Sequence, residues 1–314
     1  MDEYTPKLVA IATARDLRDA GVAAPEREAG LVRVRRGLYV ADAAWPATER
    51  EARHLIRMQA VMEAVTEPVF SHVSAAVLWG LPVVGALEGV HVMGNGKVGR
   101  RTRRGIVWHN HALGSGDVVE LNGFQVTSLE RTAFDIACSR GMEAGVAAVD
   151  AALRDRFVTG LGTSVSGVQR DALLDMFEAR RGARGIRTAL SCARFGDGRS
   201  GSAGESISRW NLHRLGFPPP ELQVAFARDG GGFDIVDFDW PEHGRFGEFD
   251  GFGKYVRAPL TGGRSIEEVV WDEKRREDRV RRHRPFASRW GWSEARDLRA
   301  LERRLLADGL PKCR

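Results

Sequence analysis

The residues best suited to chemistry are four carboxylates on either side of a Pro-Glu-His-Gly turn: Asp237, Asp239, Glu248 and Asp250. The flanking segments are rich in aromatic and β-branched residues and predict two strands joined by that turn. A four-residue loop pairs Trp240 with Arg245 and sets Asp237 opposite Glu248, with Cβ atoms about 5 Å apart. Opposed carboxylates repel each other, and hard cations bind carboxylate oxygens. The stretch therefore predicts that Asp237 and Glu248 bind Mg²⁺ or Mn²⁺.

The alternative is that the acids simply form the solvated face of an edge hairpin, since charged edges prevent aggregation. The apolar pattern favours the metal site, because the opposite face is predicted to carry Val236, Phe238 and Phe249. Phe233 and Ile235 precede Asp237 at the same period, so the acidic face is predicted to be partly buried. Because Glu248→Gln would relieve the repulsion, it is expected to raise the melting temperature without metal, or at least not to lower it.

Further motifs follow these acids. Glu248-Phe-Asp-Gly-Phe-Gly-Lys-Tyr255 is followed by Asp272-Glu-Lys-Arg-Arg-Glu-Asp-Arg279 and by an aromatic segment from Phe286 to Trp292. Asp237, followed after about ten residues by Glu248-Phe-Asp-Gly251, resembles the core of the very-short-patch-repair-like branch of the PD-(D/E)XK nucleases. The wider pattern resembles a nuclease-like domain common in actinobacterial proteins, and the resemblance covers about residues 200–308. The resemblance implies a restriction-endonuclease-like mixed sheet flanked by helices, with Asp237 and Glu248 as the metal-binding acids.

The resemblance also implies a third carboxylate, Glu205, on a helix. Asp250 stands two residues after Glu248, where these enzymes usually have lysine, so Lys254 is the candidate for the charge role. The predicted catalytic residues are Asp237, Glu248, Asp250, Lys254 and Glu205. For Glu205 there is an alternative, because Ser202-Ala-Gly-Glu205 fits a capping box that needs no metal.

Basic residues in three segments are candidates for contact with nucleic acid. They are Arg33, Arg35 and Arg36 in a hairpin, Lys97, Arg100, Arg101, Arg103 and Arg104 in a glycine-rich loop, and Arg275, Arg276 and Arg279 on a helix. Guanidinium groups match phosphate geometry, and contacts with the phosphate backbone make binding salt-dependent. The alternative for the loop and the helix is a solvated surface, with salt bridges between neighbouring turns of the helix.

Composition limits the classes of protein to which this chain can belong. The chain has 314 residues, 43% of them hydrophobic, and 47 Lys and Arg against 42 Asp and Glu. This is enough for two or three domains with proper cores. The three cysteines are far apart and match neither zinc spacing nor a disulfide framework, which fits a reducing cytoplasm. The sequence shows no signal-peptide pattern and no apolar segment of membrane-spanning length, so no membrane association is expected.

The N-terminal half carries a second resemblance, over about residues 8–155. Its motifs include Arg33-Val-Arg-Arg-Gly-Leu-Tyr-Val40, Ala75-Ala-Val-Leu-Trp-Gly-Leu-Pro82 and Val126-Thr-Ser-Leu-Glu-Arg-Thr-Ala-Phe-Asp135. These are similar to abortive-infection type IV antitoxin proteins, which implies a winged-helix DNA-binding head, an antitoxin-like α/β domain and a cognate toxin of unknown identity. In the head, the segment from Ala23 to Gly30 contains Pro25 and leaves little room for a recognition helix.

One pair of histidines is a further candidate for a metal site. His109 and His111 lie two apart and share a predicted strand face. Two imidazoles could bind a metal, but no third ligand has suitable spacing. A structural role is therefore the favoured interpretation.

The sequence thus predicts an α/β (α+β) protein in four segments. They are a winged-helix-like head over 1–66, an antitoxin-like α/β domain over 67–157, a helical linker over 158–199 and a nuclease-like domain over 200–314. The predicted function is that of a metal-dependent DNA endonuclease or nickase in phage defence or DNA repair. The alternative is a non-catalytic, antitoxin-like DNA-binding regulator with a degenerate nuclease fold. RNA is a further possible substrate.

Overall fold

The computed structural model describes residues 9–46, 49–94, 105–158, 163–251 and 266–313. The described residues form helices and mixed β-sheets, so the predicted α/β class is confirmed. The chain divides into two compact units. The first consists of Met1–Ala148 and Ala152–Arg194, and the second of Val149–Ala151 and Phe195–Arg314.

The first unit begins with a small three-stranded sheet and one helix. The elements are β1 (Ala12–Thr13), α1 (Ala14–Asp19), β2 (Leu31–Arg35) and β3 (Leu38–Ala41), with strand order β1-β3-β2. The predicted basic hairpin is therefore confirmed. Between α1 and β2, the segment considered for a recognition helix forms only a 3₁₀ turn, Pro25–Arg27. It has no helix of the kind that reads bases in the major groove.

A five-stranded sheet and its helices make up the middle of the first unit. The strands are β4 (Val69–Phe70), β5 (Val90–Met93), β6 (Ile106–His109), β7 (Val118–Leu121) and β8 (Phe124–Thr127), in the order β6-β5-β4-β8-β7. The helices are α2 (Arg50–Met62), α3 (His72–Leu78), α4 (Leu129–Ser139) and α5 (Gly141–Ala152). Met58, Phe70, Val92 and Val126 are fully buried in its core. Asn122 and Gly123 form the tight turn that joins β7 to β8.

The segment expected to be a linker contains regular structure. β9 (Arg156–Val158) pairs antiparallel with β10 (Thr163–Val165), so the Thr-, Ser- and Gly-rich stretch contributes a strand. The helical structure predicted for this segment is present as α6 (Arg170–Glu178) and α7 (Ile186–Phe195). The ring of Phe177 on α6 packs edge-on against Phe134, at 5.1 Å between centroids. Helix α6 therefore packs within the first unit through an apolar side chain, a role that the linker interpretation did not anticipate.

Gly185, before α7, provides a test of this packing. Its φ is +84°, and a Cβ there would lie 2.1 Å from the backbone oxygen of Cys138. We expect Gly185→Ala to destabilise the protein by about 1–2 kcal/mol from the left-handed backbone alone, with the backbone clash in addition. Gly182→Ala is the matched control, because a Cβ at Gly182 meets nothing within 4 Å. Urea denaturation of both variants measures the difference, and equal stabilities would contradict the close approach of Gly185 to Cys138.

The second unit contains a four-stranded mixed sheet. Its elements are α8 (Ala203–Leu215), β11 (Glu221–Ala227), β12 (Phe233–Trp240), β13 (Arg245–Phe249), α9 (Ile266–Arg281), β14 (Phe286–Trp290), α10 (Trp292–Arg296) and α11 (Leu298–Ala307). The strand order is β11-β12-β13-β14, with only β13 and β14 parallel. Trp240 pairs with Arg245, as the hairpin prediction required.

The predicted division of apolar residues between the two hairpin faces is wrong. Phe233 and Ile235 are 62% and 48% exposed, so they do not bury the acidic face. Val236 packs in a different hydrophobic cluster from Phe238, although they are two residues apart. Between them, Asp237 lies beside Gln223 of the neighbouring strand, whose φ is +53°. A period of two does not hold across this distortion, and the sequence pattern could not reveal it.

No helix among the described residues is long and apolar enough to cross a membrane.

Candidate active site of the second unit

Asp237 is held in place by a backbone amide and a side-chain amide. Its Oδ2 accepts a hydrogen bond from the Phe249 amide at 2.9 Å, and its Oδ1 accepts one from Gln223 Nε2 at 3.2 Å. Phe238 pairs with Gly247, and Asp237 and Glu248 are the next residues along the two strands. The sequence-predicted acids therefore lie on adjoining strands, at the end of the hairpin away from its turn.

Glu205 reaches the same place from the start of α8. Its amide donates to the Ser202 side chain at 3.2 Å, so Ser202 caps α8 as predicted. The other half of the predicted capping box is wrong, because the Glu205 carboxylate does not bond back to the Ser202 amide. The Glu205 carboxylate accepts from the Gly201 amide at 2.6 Å and from Gln223 Nε2 at 3.0 Å. The cap and the site are thus compatible, because the cap uses the amide of Glu205 while its carboxylate faces Gln223.

A glycine allows α8 to come this close to the sheet. A Cβ at Gly204 would lie 2.0 Å from the ring of Phe249 on β13. Only a residue without a side chain leaves room for that ring. This close approach positions the start of α8, and Glu205 with it, next to the hairpin.

Gln223 is the residue that sequence reasoning missed. Its amide nitrogen donates to both Glu205 and Asp237, and so joins α8, β11 and β12 at one point. The signal for it was weak, because an uncharged amide in a seven-residue strand suggests no chemistry by itself. Assigning β11 as the partner of β12 would have placed Gln223 opposite Asp237.

Glu248 is paired with arginines. Its Oε1 accepts from Arg276 on α9 at 2.5 Å, and its Oε2 lies 2.7 Å from Arg289 on β14. Glu273 contacts the same two guanidinium groups, at 2.9 and 2.8 Å. Burial raises the pKa of the Glu248 carboxyl, while the hydrogen bond from Arg276 acts in the opposite direction. Two cations therefore balance its charge without a metal ion.

The other two acids of the hairpin have different surroundings. Asp239 is 1% exposed and accepts two hydrogen bonds from Arg284, at 2.7 and 2.8 Å. Its role is a buried ion pair, so the four acids do not form one repulsive cluster as the sequence had suggested. Asp250 is half-buried, and its amide donates to the Trp290 carbonyl at 2.9 Å. That bond holds the end of β13 beside β14.

The arginines proposed to contact phosphate are engaged within the protein on α9. Arg275 pairs with Asp272 at 3.0 Å, Arg276 with Glu248, and Arg279 with Asp234 at 2.7 Å. On the basic hairpin, Arg33 and Arg36 are exposed and Arg35 is half-buried. The remaining candidates lie outside the described residues: Lys97, Arg100, Arg101, Arg103, Arg104 and Lys254. The exposed Arg33 and Arg36 are therefore better placed for phosphate contact than Arg276 and Arg279, which are 22% and 33% exposed. Arg275 is 67% exposed in its pair with Asp272 and stays available to solvent.

Carboxylates are the donors that Mg²⁺ and Mn²⁺ prefer, so the chemistry of Glu205, Asp237 and Glu248 fits such a cation. Among the described residues, these acids do not bring three ligand oxygens within 4.8 Å of one another. Binding a cation would therefore require the Glu248 carboxylate to turn away from Arg276 and Arg289. The metal is compatible with the donor set, and its binding competes with two ion pairs.

The structure groups three histidines, and this group shares only His109 with the pair considered from the sequence. His109 lies beside His72 and His91, while His111 is exposed. The three come from α3, β5 and β6, so no spacing along the chain could indicate them. Burial lowers the pKa of His91 and of His109 to about 4, and both imidazoles are uncharged at neutral pH.

No protein-family model matches this chain, and no curated protein matches it either.

Proposed function

We propose that the protein is a metal-dependent DNA endonuclease or nickase whose active site contains Glu205, Asp237 and Glu248. The observation that carries the proposal is the amide of Gln223, which bridges Glu205 and Asp237 at 3.0 and 3.2 Å. Acids predicted from two separate sequence motifs are thereby brought together on a mixed sheet flanked by helices. That arrangement agrees with the endonuclease resemblance of the sequence.

Each residue would have a defined part in phosphodiester cleavage. Glu205, Asp237 and Glu248 would hold Mg²⁺ or Mn²⁺, which when bound supplies an activated water and offsets charge on the phosphate. Gln223 keeps Glu205 and Asp237 in place. Asp250 directly follows the last residue of β13, two positions after Glu248. Lys254 would provide positive charge at the scissile phosphate, where these enzymes usually use a lysine two residues after the glutamate.

The N-terminal half would supply DNA binding. Arg33 and Arg36 are exposed on the basic hairpin, and the head has only a 3₁₀ turn in place of a recognition helix. Exposed arginines without a recognition helix favour contact with the phosphate backbone over contact with base edges. The setting would be cytoplasmic phage defence or DNA repair, together with a toxin partner if the antitoxin resemblance extends to function.

A second candidate function is a non-catalytic DNA-binding regulator. The pairing of Glu248 with Arg276 and Arg289 favours it, because these guanidinium groups occupy the carboxylate that a metal would need. In such a protein the acid and arginine pairs stabilise the fold, and DNA binding needs no divalent ion. The two functions therefore differ in their response to Mg²⁺.

Plasmid cleavage tests the proposal. Purified protein should nick or cut supercoiled DNA with Mg²⁺ or Mn²⁺ and not with EDTA. Asp237→Ala should abolish cleavage and leave DNA binding largely intact, because it removes a metal-binding acid distant from the basic hairpin in sequence. Asp229→Ala is the matched control, since the Asp229 side chain is 98% exposed.

The outcomes separate the two functions. Equal cleavage by the wild type and Asp237→Ala would point to a contaminating nuclease and refute the site. Salt-dependent DNA binding without cleavage, in either metal, would favour the regulator. A parallel assay on RNA decides the substrate class.

A further inference from the structure

We propose that His72, His91 and His109 bind a borderline divalent metal ion of the zinc class, at a site in the first unit that is separate from the carboxylates. Among the described residues, they are the one group of three or more His, Cys, Asp or Glu side chains whose ligand atoms all lie within 4.8 Å of one another. Imidazole nitrogen suits Zn²⁺ and its neighbours in the first transition row, whereas Mg²⁺ prefers oxygen.

The fold brings the three imidazoles together from separate elements. β5 and β6 are parallel neighbours in which Met93 pairs with His109, and His91 lies two residues before Met93. His91 Nδ1 and His109 Nε2 are 2.9 Å apart. At a Zn–N distance of about 2.0–2.1 Å, tetrahedral ligands stand roughly 3.3 Å from each other. A shift of a few tenths of an ångström would therefore let these two nitrogens share an ion.

His72 is the third member. Its ring stacks on that of His109, with 3.5 Å between centroids and 13° between planes. To coordinate, the His72 ring must turn out of this stack until one nitrogen faces the other two. The residue has φ +49° at the first position of α3, an unusual conformation for a non-glycine residue. Strain of this kind is maintained where a side chain has to be placed precisely enough for function.

Neighbouring groups are placed to orient the rings. His91 Nε2 lies 3.3 Å from the Glu88 carbonyl, and a proton on that nitrogen leaves the lone pair on Nδ1, the atom that faces His109. His72 Nδ1 lies 3.1 Å from the Ser71 hydroxyl. Metal-binding histidines usually give their second N–H to such an oxygen, which fixes the tautomer.

Asp135 provides an independent observation. Its side chain is 4% exposed, and its Oδ2 makes no hydrogen bond and lies 3.8 Å from His72 Nδ1. A buried carboxylate oxygen without a partner is costly. A cation bound to the imidazoles would bring positive charge toward this buried carboxylate, whose Oδ2 lies on the His72 side of the group.

Two of the three imidazoles also border an open space. A cavity of about 660 Å³ is lined by His72, His109 and Asp135, together with Arg131, Arg180 and Arg184. Three protein ligands leave one position of a tetrahedral ion for an exogenous ligand. Because three guanidinium groups face the same cavity, water or a small oxyanion is the class of ligand that suits this position.

Zinc binding by the full-length protein, prepared without a histidine tag, tests the site. After chelation and dialysis, calorimetry with Zn²⁺ should give about one ion per chain. His91→Gln and His109→Gln should each weaken binding by more than the 10–100-fold typical of losing an outer-shell partner. His111→Gln is the control for a cavity-lining histidine outside the triad. Asp237→Ala is the control for the carboxylate site, and both controls should bind as the wild type does.

Co²⁺ substitution of the wild type gives a readout that needs no variant. Tetrahedral Co²⁺ with nitrogen ligands absorbs visible light much more strongly than octahedral Co²⁺ with oxygen ligands, and we expect the tetrahedral spectrum. Absence of both Zn²⁺ binding and this spectrum would overturn the proposal. So would Zn²⁺ binding that survives in His91→Gln and His109→Gln, or that disappears in Asp237→Ala.

Discussion

Replacing Glu248 with glutamine is expected to lower the stability of the metal-free protein by about 2–3 kcal/mol. The side chain is 8% exposed and interacts with both Arg276 and Arg289. Removing one partner of a buried ion pair costs roughly 3–5 kcal/mol. We take a lower value because both arginines are about a quarter exposed and keep Glu273 as a partner. The glutamine carbonyl can also accept one of the lost hydrogen bonds.

The loss of stability expected for Glu248→Gln is opposite in sign to the gain that the sequence suggested. From sequence alone, Glu248 and Asp237 were opposed carboxylates, and neutralising one of them should relieve repulsion. In the structure, the nearest charges to Glu248 are guanidinium groups from α9 and β14. Attraction therefore dominates, and glutamine removes it.

Urea denaturation in EDTA measures the effect. Glu242→Gln is the matched control, because Glu242 is exposed in the turn of the same hairpin. A Glu248→Gln variant as stable as the wild type, or more stable, would show that repulsion between the carboxylates outweighs the ion pairs. The same titrations with millimolar Mn²⁺ report on the metal, since a ligand that binds only the folded state stabilises it by mass action.

The local features of this site could be predicted from the sequence. The turn residues set the register of β12 and β13, and Ser202 marked the start of α8. Both depend on residues within a few positions of each other, where turn and cap preferences are strong. The α/β class follows from the same local patterns.

The features that could not be predicted depend on contacts between distant segments. Gln223 became part of the site through strand pairing, and Arg276 and Arg289 reached Glu248 from 28 and 41 positions along the chain. The His72, His91 and His109 group has the same origin, because a helix start and two parallel strands bring it together. The distortion at Asp237 and Gln223 also breaks the alternation on which the predicted hairpin faces relied.

A second buried network, in the first unit, should respond still more strongly to the loss of one residue. Arg131 on α4 is 3% exposed and donates to Asp135 at 3.0 Å, to Asp117 at 2.7 Å and to the Ala112 carbonyl at 3.0 Å. Arg131→Met keeps much of the apolar stem but leaves two buried carboxylates without this cation. We expect a loss of about 3–5 kcal/mol. Arg180→Met is the matched control, because Arg180 contacts Asp117 from a position that is 25% exposed, and its loss should cost about 1 kcal/mol.

The pH dependence identifies the cause. Burial raises the pKa of Asp135 to about 6, against the opposing effect of Arg131, and removing Arg131 should raise it further. A carboxyl whose folded-state pKa exceeds its unfolded value binds its proton more tightly in the folded state. Its destabilising contribution to folding therefore grows as the pH rises through the folded pKa and shrinks below it. The destabilisation by Arg131→Met should therefore be larger at pH 8 than at pH 5, as measured by urea denaturation at both values. An equal loss at the two pH values would mean that packing, and not the uncompensated carboxylates, accounts for the effect of Arg131.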